Sequence, residues 1–130
     1  MASPSLKLQE FDMADSILRT KSKEFAKDIV FLSRKLKQNG VESALINQLL
    51  RCGTSVGANV HEAQYAQGTK DFISKFEIAL KECNESEYWL ELLYETNSMS
   101  QTEFDNFQKS CIELRRMLVS SVTTLKGNSK

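Results

Sequence analysis

Apolar residues return every three or four positions along four stretches of the chain, the spacing that stacks side chains on one face of an α-helix. The first stretch carries Leu18, Phe25, Ile29, Leu32 and Leu36, and the second Leu45, Leu49, Cys52, Val56, Val60 and Ala63. The third carries Phe72, Phe76, Ala79, Cys83, Leu90 and Tyr94. The fourth carries Phe104, Phe107, Cys111, Leu114, Leu118, Val122 and Leu125. Gly40 and Gly68 fall between stretches, where a residue that tolerates positive φ ends a helix, and Asn97 can serve in the same way. Ser100-Gln101-Thr102-Glu103 has the form of a capping box, and Thr69 stands where a cap for the third helix is expected. The pattern predicts helices at 20–39, 42–66, 69–97 and 100–126. Short connections make successive helices antiparallel neighbours, so the expected fold is an all-α, up-down-up-down four-helix bundle with helices roughly 30–40 Å long. Residues 20–126 form the bundle domain. Residues 1–19 are an N-terminal arm or an extension of the first helix, and 127–130 a tail.

Composition agrees. A chain of 130 residues with 41% hydrophobic and 26% charged residues suits one globular domain. Its single proline, Pro4, leaves the rest without a strong helix breaker. No apolar run is long enough to span a bilayer, and Met1 to Glu10 lacks the apolar block of a secretory signal. The expectation is a soluble cytoplasmic protein without a membrane partner. Cys52, Cys83 and Cys111 are far apart, form no C-x-x-C pair and lie on the apolar stripes, so buried reduced thiols are expected.

Some residues are left over once the core is assigned. Ile78, Trp89 and Leu92 lie opposite Phe76 and Cys83 on the third helix. Ile46 and Leu50 lie beside Gly53 and Gly57 on the second, away from its main stripe. Each mid-helix glycine costs roughly 1 kcal/mol relative to alanine, so Gly53-x-x-x-Gly57 suggests a close backbone approach. These two surfaces are assigned to self-association, the alternatives being a neighbouring helix of the same chain or plain exposure. Arg51, Ser55, Asn59 and Glu62 line one ridge of the second helix. The commoner origin of such a ridge is pairing with a neighbouring helix, here with Glu87 or Arg115. A catalytic or anion-binding site is the alternative.

Catalytic chemistry finds little support. His61 is the only histidine, so neither a zinc-protease helix nor a paired Glu-x-x-His di-iron site can be built. No nucleophile elbow and no cofactor motif is present, so the chain is expected to be no enzyme and to need no metal or cofactor.

Charge changes the picture last. The 17 basic and 17 acidic residues cancel, yet residues 1–40 hold eight basic and five acidic residues while 69–97 hold three and seven. Arg19, Lys23, Lys27, Arg34 and Lys37 share a sector of roughly 80° on the first helix. Such stripes are commonly solvated faces, here partly attracted by the acidic third helix. The other reading is a surface for RNA or DNA, strengthened if symmetry repeats it around a ring.

The run Gln48-Leu49-Leu50-Arg51-Cys52-Gly53-Thr54-Ser55-Val56-Gly57-Ala58-Asn59-Val60-His61-Glu62-Ala63 resembles a family signature, Q-L-R-R-A-x-x-S-I-x-x-N-I-A-E-G. That family consists of bacterial four-helix-bundle proteins encoded in intervening sequences of 23S ribosomal RNA genes, some labelled S23 ribosomal proteins. Asp71-Phe72, Ile78-Ala79-Leu80 and Glu85 are similar to its E-F...I-A-L...E pattern, and the likeness covers residues 20–126. Leu50, His61 and Ala63 depart from it, Leu50 removing a cation beside Arg51. The resemblance implies a homopentameric barrel of antiparallel bundles. It also implies kinship with accessory proteins of diversity-generating retroelements, which bind nucleic acid and a reverse transcriptase. The combined expectation is a non-enzymatic homo-oligomer that binds RNA or DNA through its basic face. The alternative is a scaffold for a protein partner without nucleic-acid contact.

Overall fold

The computed structural model describes residues 4–128, with side chains described for residues 10–127. Four helices follow one another: α1 (Pro4–Gln38), α2 (Ser43–Ala63), α3 (Thr69–Glu95) and α4 (Gln101–Asn128). Each packs on its neighbours in sequence and α4 returns to α1, while the backbones of the diagonal pairs stay apart. Cross-helix partners fix the directions. Ile29 and Ser22 of α1 meet Gly53 and Gly57 of α2, and Arg51 and Glu62 of α2 meet Glu82 and Lys75 of α3. Tyr94 and Glu77 of α3 meet Phe104 and Lys126 of α4, and Lys21 and Lys35 of α1 meet Glu113 and Glu103. In every case rising numbers on one helix pair with falling numbers on the next, so all four contacts are antiparallel.

α1 starts sixteen residues before the predicted start, reaching Pro4 over 35 residues, about 53 Å of helix. The reason lies in its buried face. Phe11, Asp15, Leu18, Ser22, Phe25, Ile29, Leu32 and Leu36 alternate spacings of four and three, the heptad seam of helices packed in a left-handed twist. Asp15 and Ser22 are buried members of that seam, and their polarity hides its early part from a search for apolar residues. Phe11 packs on Phe72 at the far end, ring centroids 6.0 Å apart. Residues 1–3 of the expected arm and 129–130 of the tail lie outside the described residues, and α4 runs through 127 and 128.

The turns follow local chemistry. Gly40 (φ 75°) closes α1, its N–H bonding to Lys37 O and that of Val41 to Leu36 O. Asn97 (φ 61°) closes α3 identically, through Tyr94 O and Leu93 O. Both are Schellman ends, which satisfy carbonyls that the helix leaves open. The capping box at α4 is formed: Glu103 N–H donates to Ser100 Oγ and Ser100 N–H to Glu103 Oε1, each at 3.2 Å. At α3 the cap position is Gly68 and not Thr69, which is already helical. There Asp71 reaches back to accept the Gln67 N–H at 3.2 Å.

Candidate nucleic-acid interface

Arg19, Lys23, Lys27, Arg34 and Lys37 are all exposed and span about 27 Å of α1. Their neutralisation is partial. Arg19 Nε lies 3.4 Å from Asp15, Lys27 lies 3.4 Å from Glu24, and the Arg34 guanidinium sits 5.9 Å from the centre of the Phe31 ring. Lys23 and Lys37 make no ion pair among the described residues. The expected attraction to acidic α3 has no ion pair behind it among the described residues, because α1 and α3 lie on a diagonal of the bundle. Glu77, Glu82, Glu85 and Glu87 of α3 are instead taken by Arg51 of α2 and by Arg115 and Lys126 of α4.

Asp15 is the group beneath this face. It is buried, accepts a 3.3 Å hydrogen bond from Gln64 Nε2 and holds Arg19. Burial raises its pKa above the usual carboxylate value, with Gln64 and Arg19 pulling the other way. Its Asp-x-x-x-Arg spacing is a legible helix pair, but nothing in the sequence says that it is buried.

The polar ridge of α2 is a seam. Arg51 pairs with Glu82 at 3.2 Å and with Glu85, and Glu62 pairs with Lys75 at 3.1 Å. Ser55 Oγ donates to Arg51 O and Asn59 Nδ2 to Ser55 O, both within the helix. The expected partners Glu87 and Arg115 bind each other instead, across α3 and α4. Glu87 lies on the side of α3 that faces Arg115 of α4, and neither pairs with the ridge. No nucleophile and base are brought together along the ridge.

The residues assigned to self-association divide. Ile46 and Gly53 are buried inside the chain. A Cβ on Gly53 would stand 2.8 Å from Ile29 Cγ1, and one on Gly57 would stand 3.0 Å from the Ser22 carbonyl oxygen. The close approach that these glycines permit is therefore between α1 and α2 of one chain, and their assignment to an intermolecular surface is corrected. At Gly53 and Gly57 the second-helix patch is closed by α1. Leu50 packs partly on the core, as does Trp89, whose Nε1 donates to Glu85 at 3.1 Å. Leu92 is half-buried, whereas Ile78 is 40% and Tyr88 59% exposed.

All three cysteines are free and buried. Burial pushes Cys52 up to about 11 although Ser86 Oγ donates to its sulfur at 3.4 Å. Cys83 donates to the Cys111 carbonyl at 3.5 Å, and hydrogen bonding with the Cys83 thiol together with burial pushes the Cys111 thiol upward. Among the described residues no group of three or more His, Cys, Asp or Glu side chains could hold a metal ion, and no helix is long and apolar enough to cross a membrane.

Comparison with known proteins agrees with the bundle geometry. A crystal structure of a protein of unknown function from the S23 ribosomal protein family of Bacteroides thetaiotaomicron superimposes with a TM-score of 0.82. It is 42% identical, over 85% of this chain and 98% of that one. No curated protein matches the chain. The family model of the 23S rRNA-intervening sequence protein matches residues 14–120, so the chain belongs to that family.

Proposed function

We propose that this protein is a non-enzymatic, self-associating bundle that binds RNA or DNA through the basic face of α1. One observation carries it: five cations line an exposed face on the diagonal from the acidic helix, and three of them, Lys23, Arg34 and Lys37, are without an ion pair among the described residues. Phosphate contacts by such side chains release counterions, so binding is expected to weaken steeply with salt. Fluorescence anisotropy of a labelled RNA at graded salt tests this. The variant K23E/K27E/R34E should lose binding, and equal binding by that variant would sink the proposal.

Self-association is assigned to the outer face of α3, where Ile78 and Tyr88 are exposed beside half-buried Trp89 and Leu92. A pentamer is the assembly that the resemblance implies. Light scattering after gel filtration decides it, and a clean monomer contradicts it.

The second reading, a protein scaffold, rests on a groove of about 390 Å³ between α1 and α4, where Phe31 is 62% exposed above Phe107. Stoichiometric capture of one protein, unchanged by nuclease, would favour it.

A further inference from the structure

The register that seats Gly57 on the backbone of α1 also shapes the surface above it. With hydrogen alone at Gly57 and methyl groups at Ala26 and Ala58, the two helices leave a cleft of about 620 Å³. This is within the ~300–1,000 Å³ range of sites that take small organic groups. Arg19 and Lys23 stand on its α1 side and His61 on its α2 side. The carboxylate at the rim, Glu62, is met by Lys75 at 3.1 Å, and Asp15 below tethers Arg19 through Nε at 3.4 Å.

Just past the end of α2, Tyr65 is 75% exposed and stands beside His61. Its N–H donates to Glu62 O at 3.0 Å, and its ring lies 5.7 Å from that of His61, inclined by 59°. A placed, exposed aromatic ring beside cations is the arrangement on which unpaired bases stack. Bases within a duplex already stack on each other and cannot reach such a ring.

We propose that the cleft between α1 and α2 binds a single-stranded polynucleotide, with Arg19 and Lys23 on its phosphates and Tyr65, braced by His61, stacking a base. This rests on the reading of the α1 face as a polyanion surface and adds to it a preference for strands whose bases are free.

The test is anisotropy with a labelled oligouridylate and with a duplex of equal length, at two salt concentrations. Wild type is expected to bind the single strand more tightly than the duplex. Tyr65→Ala should weaken single-strand binding about tenfold without changing its salt slope, because no cation is lost. Tyr65→Phe should keep the affinity, and Ala58→Leu, which fills the cleft and touches no charge, should reduce it. Equal or tighter duplex binding by wild type, or wild-type affinity in both Y65A and A58L, overturns the cleft site and leaves the α1 reading intact. No binding of either probe by wild type overturns both.

Discussion

Gly53→Ala separates a glycine needed within the chain from one that serves a partner. Alanine at a mid-helix position gains about 1 kcal/mol of helix propensity. Here the new methyl would stand 2.8 and 2.9 Å from Ile29 Cγ1 and Cγ2 and 3.1 Å from its Cδ1. Ile29 is fully buried and branched at Cβ, so it cannot swing aside as the tip of a lysine could. Overpacking of this kind costs about 1–3 kcal/mol, so the net expectation is destabilisation by about 1 kcal/mol, a fall of roughly 4 °C in Tm. Ile29→Ala alone should cost about 2–5 kcal/mol through its cavity. In that background the clash is gone, and Gly53→Ala should become stabilising by about 1 kcal/mol. The cycle thus predicts a coupling of about 2 kcal/mol. Urea unfolding followed by far-UV circular dichroism at several protein concentrations measures it. Stabilisation by Gly53→Ala in the wild-type background would refute the reasoning, as would a loss that disappears on dilution.

Ser100→Ala should cost about 1 kcal/mol by removing the cap of α4. The hydrogen bond from Lys35 holds the Glu103 carboxyl below its usual value, so its stabilisation is full above the ordinary value of 4.5 and is lost as pH falls through the folded value. Glu103→Gln should flatten that acid limb in pH-dependent unfolding. Asp15 has the opposite sign: its pKa is raised by burial, so its ionised form costs stability as pH rises past 3.8. Asp15→Asn should remove this loss and, by releasing Arg19, tighten RNA binding; weaker binding would contradict the tether. The buried thiols should resist iodoacetamide in the native protein and react fully in denaturant, because the packed bundle keeps the reagent from all three, and at Cys52 a pKa of about 11 also leaves almost no thiolate near neutral pH.

What the sequence by itself determined is whatever depends on neighbours along the chain. The heptad stripes, the Schellman ends at Gly40 and Asn97 and the Ser100 to Glu103 box are local, and so are the four helices built from them. For α1 the sequence left residues 1–19 open between an arm and an extension of the helix, because Asp15 in its early seam is buried without being apolar. The side of a helix on which a residue sits was legible for the same reason, as with the exposed sector from Arg19 to Lys37. What only the tertiary structure decided is which helix lies on each of those sides. Gly53 and Gly57 read equally well as a contact within the chain or between chains until α1 is seen lying on them. Arg51 has acids on α3 at several registers, and the rotation of the helices selects Glu82 and Glu85 while turning Glu87 toward Arg115. Local periodicity sets each helix's faces, but the pairing of faces is a balance of packing over the whole bundle, and no single stretch of sequence contains it.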